Sequence, residues 1–411
     1  MDFRFTSTMV LCLSFILLGN SLSYSQLLVN AERYELRDLG VPHVNAIPPD
    51  ESAITSLFVG PAGNIYGGTT GPVCHLFVFS PGLNRVKPLG QIDGHQSIHH
   101  SLTFGGDGML YIGTGLNEIK QYPISDPVAG HGGIVISLWN DIKKRYENYE
   151  GGHLFRYNPT DNEKISVEIG QPCKLEDLGI PVPHNGIYNM VASHDGKRLY
   201  GLTYPDGHFF IYDIKTGKFF DKGEIYQERV YGGPNRSLRS ICRDLICDDN
   251  GNVYGSMDTE RLFMYDIKKD EIVKLQLKIP HIYIAVVEVF AKDTSGIIYG
   301  GTSEGYLFKF DPKVKRVVNL GKPLDQMRIR ALTVGLDSKV YGIAGERKDK
   351  CHLFSYDPES GGYADFGVIN VDRTPYYVWS GKQFDAMVTG LNGTIYIGES
   401  ERKSHLFLFY P

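Results

Sequence analysis

Cysteine is scarce: six occur in 411 residues. With Cys12 assigned to a leader, Cys74, Cys173, Cys242, Cys247 and Cys351 form an odd, scattered set, which argues against a disulfide framework. There is no Cys-x-x-Cys pair, so nothing supports a zinc ribbon. Cys242 and Cys247 fall on one expected strand, point to opposite faces and do not pair with each other. A net charge of −5 with dispersed basic residues leaves no nucleic-acid footprint. Long hydrophobic runs are lacking too. The apolar stretch Val10 to Gly19 is too short to span a bilayer. It follows Arg4 and precedes Ser23-Tyr24-Ser25, the pattern of a cleavable leader. Residues 1–25 are therefore expected to be a signal peptide. The mature chain, beginning near Gln26, is expected to be exported (secreted or periplasmic) and monomeric, with no membrane span. WD, kelch and quinoprotein signatures are absent.

What the chain does have is one sentence spelled seven times. A strand ending in Gly-x-Ile/Val/Leu-Tyr-Gly carries the marker tyrosines Tyr66, Tyr111, Tyr200, Tyr254, Tyr299, Tyr341 and Tyr396. A second strand of the type His-Leu-Phe follows, with its aromatic centre at Phe77, Phe155, Phe210, Phe263, Phe308, Phe354 and Phe407. An all-strand period of about 45 residues predicts an all-β, seven-bladed β-propeller of four-stranded antiparallel blades, a single domain over 26–411. Inner strands are expected near residues 54, 99, 187, 242, 287, 329 and 384. The seventh blade lacks a fourth strand, because the chain stops at Tyr410-Pro411. Residues 34–40 are expected to supply that strand and close the ring. Asp107-Gly108, Asp195-Gly196, Asn250-Gly251 and Asn392-Gly393 read as hairpin turns.

Two segments break the repeat. Residues 115–151 are an insertion on the loop face and contain an expected short helix, 137–149, capped by Ser137. Residues 359–383 read as a long connection carrying Tyr376, Tyr377 and Trp379. Long loops on a rigid scaffold commonly carry function.

One aligned position carries the chemistry. Eleven residues before each marker tyrosine, twelve in blade three, stand Thr55, His100, Tyr188, Arg243, Glu288, Arg330 and Asp385. All are polar, while Leu57, Leu102, Met190, Leu245, Phe290, Leu332 and Met387, two residues on, are all apolar. The polar set is expected to ring the channel mouth. His100 and Tyr188 can move protons. Arg243 and Arg330 are forked cations suited to a carboxylate or sulfate. The competing structural account is a buried salt-bridge belt, Arg243–Glu288–Arg330–Asp385. His99 stands out as the polar member of an otherwise apolar column. His184, Asn185, Arg236, Arg239, His131 and Tyr204 project to the same face, and Trp139 and Trp379 offer stacking surfaces for sugar rings.

The histidines His75, His153, His208, His352 and His405 occupy one repeat position. They are expected to hydrogen-bond within their own blades, not to converge on an ion, so no cofactor is expected. A metal shared by His153 and His208 with His131 or His184 is the minority alternative.

The ring chemistry fits β-elimination at a uronate. Arg243, with Arg330 or Arg239, would neutralise the carboxylate; His100 or His99 and Tyr188 would divide base and acid. In architecture and residue type the mature chain resembles the seven-bladed propeller polysaccharide lyases, such as ulvan and rhamnose–glucuronate lyases. That resemblance implies an acidic poly- or oligosaccharide substrate. Oligogalacturonate lyases resemble a metal-dependent version. Two other functions compete with a lyase. One is an exported propeller that binds glycan or protein without catalysis. The other is a glycoside hydrolase using Glu288 and Asp385, which would require two carboxylates a suitable distance apart.

Overall fold

The computed structural model describes residues 31–35, 53–117, 144–159, 174–225, 241–257, 261–278, 287–345, 351–373, 377–380, 383–400 and 405–411. Residues 1–25, most of the insertion, Cys173, His131, Trp139, Arg236, Arg239 and Tyr376 lie outside them. Seven four-stranded antiparallel sheets make the ring. Their inner strands are Ala53–Val59, Leu102–Phe104, Gly186–Ala192, Ile246–Cys247, Val287–Lys292, Ile329–Val334 and Phe384–Thr389. In blades two and four regular pairing starts only at 102 and 246, later than expected, because the backbone before it is given over to the channel mouth.

The repeated letters now have physical reasons. The marker tyrosine anchors its strand to the preceding turn: its hydroxyl donates to Asp107, Asp248 and Asp337 at 2.8, 3.0 and 2.8 Å in blades two, four and six. The phenylalanine of the third strand lies over a glycine of the second. A Cβ on Gly67, Gly300 or Gly342 would sit 2.0, 2.2 or 2.6 Å from the Cζ of Phe77, Phe308 or Phe354. A side chain there would expel the ring that fills the blade, which is why the strand carries glycine at that point. Blades lock by a similar approach. Ile54, Ile98, Ile187 and Ile329 each press a Cγ2 to within 2.4–2.5 Å of where a Cβ would stand on Gly398, Gly68, Gly113 and Gly301 of the blade before.

The ring closes through the N-terminal segment, as expected, but with an earlier strand. Ala31–Glu35, not 34–40, pairs antiparallel with His405–Phe409, Ala31 opposite Phe409. A chain truncated after Glu35 would leave the Phe409 edge unpaired. Its thermal midpoint is expected to fall more than about 4 °C below that of the full chain, a loss of roughly 3 kcal/mol for a domain of this length, with aggregation visible in sedimentation. An unchanged midpoint would show that closure contributes nothing.

The connection read as 359–383 is shorter than expected. Tyr363–Val368 is the fourth strand of blade six, and Asn370–Arg373 pairs with Tyr377–Ser380 in a separate hairpin. Trp379 is placed on that hairpin by its backbone. Residues 144–147 are helical, the described end of the expected helix. Cys242 lies ahead of the short strand Ile246–Cys247, so the two thiols do not share a strand. Burial raises Cys242 to about 12 and Cys247 to about 11, which leaves both unreactive. Among the described residues no helix is long and apolar enough to cross a membrane.

Candidate functional site

The polar ring is produced by a backbone device. In blades one, three, five, six and seven the ladder between the first two strands shifts register around a single residue. Those residues are Thr55, Tyr188, Glu288, Arg330 and Asp385. Each is a β-bulge, an extra residue left out of the pairing and re-aimed. A polar side chain here disturbs no ladder.

Blade two corrects the reading of His99. Its packing residue is Ile98, which presses on Gly68 as Ile54 presses on Gly398. Ser97 bonds to Gly115 and Ser101 to Gly113. The bulge between them holds two residues, His99 and His100. His99 is therefore a second member of the ring, and its apparent membership of the apolar column came from aligning through a longer bulge.

The structure brings the four candidate catalytic side chains together. The His99 ring stacks on Tyr188 at 4.4 Å, 12° from parallel, and stands edge-on to His100 at 4.5 Å. A nitrogen of Arg243 lies 3.2 Å from His100 Nε2. Arg243 reaches across the axis from blade four. It binds Asp385 at 2.7 Å and approaches Glu288 at 3.5 Å. Arg330 Nε lies 2.9 Å from the same Asp385 oxygen. The belt is thus real, with one change: the second guanidinium near Glu288 is that of Arg328, at 3.6 Å, not Arg330. Among these five side chains one positive charge is in excess. Arg328 was missed because it precedes the ring position by two residues and no repeat marks it.

Donor and acceptor roles follow from the geometry. A guanidinium only donates, so His100 Nε2 accepts and its proton is on Nδ1. A carbonyl only accepts, so His99 Nδ1 donates to the Tyr188 carbonyl at 3.0 Å. His99 Nε2 is then a bare lone pair, buried and, among the described residues, without a hydrogen bond. Burial, and then the charge of Arg243, lowers His100 to about 3. Burial, His100 and Arg243 push His99 well below its ordinary value. Both rings are neutral. Burial raises the Tyr188 phenol above its usual range, so it keeps its proton at neutral pH and is no base. Burial would raise Asp385, but Arg243 overrides it and holds the carboxyl below the carboxylate range. A permanently ionised Asp385, tied to two arginines, offers no general acid, which removes support for the hydrolase reading.

Tyr204 is buried and stacks on Tyr188 at 5.6 Å, and Tyr146 of the helical turn packs against Tyr204 at 5.6 Å. Its place is behind Tyr188 in an aromatic stack. His184 is exposed and donates from Nδ1 to the Tyr149 carbonyl at 2.9 Å. Asn185 is buried, its amide spent on Pro183, Asp206 and Thr203. Beneath the ring, on the axis, lies a cavity of about 240 Å³. All seven apolar residues two positions after the ring line it, together with Asp244, which burial raises to about 7. Asp244 was overlooked because its column holds serine, asparagine, valine and alanine elsewhere.

Four of the five repeat histidines bond within their own blades. His153, His208 and His352 bond through Nδ1 to Asp177, Asp221 and Asp365 of their own fourth strands, and His405 to Glu399. Among the described residues no three His, Cys, Asp or Glu side chains converge as a metal set.

Comparison with known proteins places the fold and goes no further. No protein-family model matches the chain, and no curated protein matches it. A streptogramin B lyase structure superposes with a TM-score of 0.60 at 9% identity, covering 92% of this chain and 98% of that one. Virginiamycin B lyase from Staphylococcus aureus gives 0.59 at 8% identity, covering 93% and 99%. The extracellular domain of a hybrid two-component system of B. thetaiotaomicron gives 0.57 at 13% identity, covering 91% of this chain and 39% of that longer one. At such identities the likeness is one of fold.

Proposed function

We propose that the protein is an exported lyase that cleaves a uronate-containing glycan by β-elimination at the bulge ring. The observation that carries this reading is the contact of His99, His100, Tyr188 and Arg243. It joins a bare imidazole lone pair, a protonated phenol and a guanidinium in one cluster. β-Elimination needs these three functions. His99 Nε2 takes the C5 proton, and the electron pair left behind forms the C4–C5 double bond as the C4–O bond breaks. The Tyr188 hydroxyl, which carries no hydrogen bond among the described residues, protonates the departing oxygen. The Arg243 guanidinium, beside His100, offsets the uronate carboxylate and acidifies the C5 proton. His100 has its lone pair committed to Arg243, so its part is to position that guanidinium. Two neighbours named as lyases are consistent with elimination chemistry on this fold, without bearing on the substrate.

The test is the ultraviolet absorbance of an unsaturated uronate product, followed while the protein is incubated with a panel of acidic polysaccharides. His99→Gln is expected to lower kcat by at least ~10²-fold, the usual contribution of a general base. His100→Gln should act mainly through KM and leave the acid limb of the pH profile in place. Equal kcat losses in both variants would overturn the division of roles. The second reading, a binding module without catalysis, is favoured by the pairing of Arg243 and Arg330 with Asp385. It predicts retention on an acidic-glycan column with no absorbance change on any substrate.

A further inference from the structure

The axial cavity of about 240 Å³ beneath the ring has no part in the chemistry above. Its wall is built mainly from the seven apolar residues two places past the ring, so most of it is hydrocarbon and thioether. One carboxylate interrupts that wall. Asp244 stands next to Arg243, in the blade-four backbone that leads into the short strand Ile246–Cys247. The corresponding places in blades five, six and seven hold Val289, Ala331 and Ala386, all buried. Asp244 is only half-buried, and the surface it keeps borders the cavity.

The carboxylate is fixed in place and lacks a cation. Its Oδ2 accepts from the backbone N–H of Phe290, in the next blade, at 2.9 Å. Among the described residues it makes no ion pair. The arginines nearby are committed elsewhere: Arg243 binds Asp385 at 2.7 Å and approaches Glu288 at 3.5 Å, and Arg330 lies 2.9 Å from Asp385. The other titratable groups on the cavity wall are His100, which is neutral, and Asp385, which those arginines hold. Burial without a cation raises Asp244 to about 7.

The wall selects the kind of ligand. Calcium or magnesium would need several oxygen ligands, and the apolar tier offers none. An ammonium group on an apolar body matches both parts, its head meeting the carboxylate and its body the hydrocarbon. An apolar cavity of roughly 150 Å³ takes benzene. The larger volume here suits a single ring with a short amine-bearing arm, and the flexible side chains of Met190 and Met387 can settle around it.

We propose that the axial cavity binds a small organic monocation, a primary amine on a compact apolar body, with Asp244 as its counter-ion. The site stands apart from the lyase reading and needs no turnover. His100 and Asp385 line the same cavity, so its occupant would lie directly under the ring.

The experiment is calorimetric titration of the full chain at about pH 8, above the Asp244 value, with benzylamine hydrochloride, and with benzyl alcohol as the uncharged control. One equivalent of benzylamine should bind, at least ~10-fold more tightly than the alcohol, the margin of a hydrogen bond to a charged group. Asp244→Asn keeps an acceptor for Phe290 and removes the charge. It should raise the Kd for benzylamine at least ~10-fold and leave that for the alcohol in place. Leu57→Phe narrows the cavity and should weaken both ligands. Asp249→Asn, which alters an exposed carboxylate of the same blade, should bind as the wild type does. No binding to the wild type, equal affinity for amine and alcohol, or an unchanged Kd in either cavity variant overturns the site. If Asp244→Asn does not fold, the wild-type preference for the amine and its loss of affinity in Leu57→Phe decide.

Discussion

Tyr188→Phe is expected to abolish product formation on any polysaccharide the wild-type protein cleaves, with kcat down by ~10²–10⁴-fold and the thermal midpoint nearly unchanged. The ring of Tyr188 is held on one face by His99 at 4.4 Å and on the other by Tyr204 at 5.6 Å, and phenylalanine preserves both contacts. The hydroxyl has no hydrogen bond among the described residues, so its removal strands no partner. The substitution therefore deletes a proton and little else. Product absorbance at the wild-type rate would exclude Tyr188 as the acid. Loss of activity with a fall in midpoint would point to packing instead, and circular dichroism melts beside the kinetics separate the two.

Asp385→Ala is expected to cost a large part of the fold's stability. Asp385 answers Arg243 at 2.7 Å and Arg330 at 2.9 Å, and all three are buried. Removing one partner of a buried pair leaves an uncompensated charge, typically a loss of about 3–5 kcal/mol. Urea denaturation at neutral pH would read it as a lower midpoint at constant slope. The effect has a pH signature. The folded carboxyl lies below its unfolded value of about 3.9, so the stabilisation is full above that pH and is lost as pH falls through the folded value. The gap between wild type and variant should therefore narrow below about pH 4. A gap under ~1 kcal/mol at neutral pH, or one that widens on acidification, would mean that the arginines find other partners.

How legible the molecule was in its sequence depended on whether a residue belonged to the repeat. The tyrosine, glycine and phenylalanine letters recur because each blade solves the same packing problem, so seven copies vote on strand, turn and core. Ring closure was visible as a missing strand at one end and a spare one at the other, although its bounds were not. The ring was visible because a polar letter recurred in register. What departed from the register was lost or misplaced. His99 was assigned to the wrong column because the bulge in blade two is one residue longer. Arg328 and Asp244 occupy places that other blades fill with unrelated residues, so no alignment could mark them. The protonation of Tyr188 is set by burial, which sequence does not report.

The recurrent bulge has an evolutionary reading. A residue inside a strand answers to its ladder and to the blade beside it, and most replacements there disturb both. The extra residue of a bulge answers to neither. Such positions in six of the seven blades, around one axis, behave like the tumblers of a lock: they can be recut without disturbing the ladders, the ion-paired ones together and the others singly, while the cylinder keeps its shape. A change of substrate in this architecture would then require few substitutions, clustered at those places. Descendants with unlike chemistry would remain nearly superposable while sharing little sequence at the mouth of the channel.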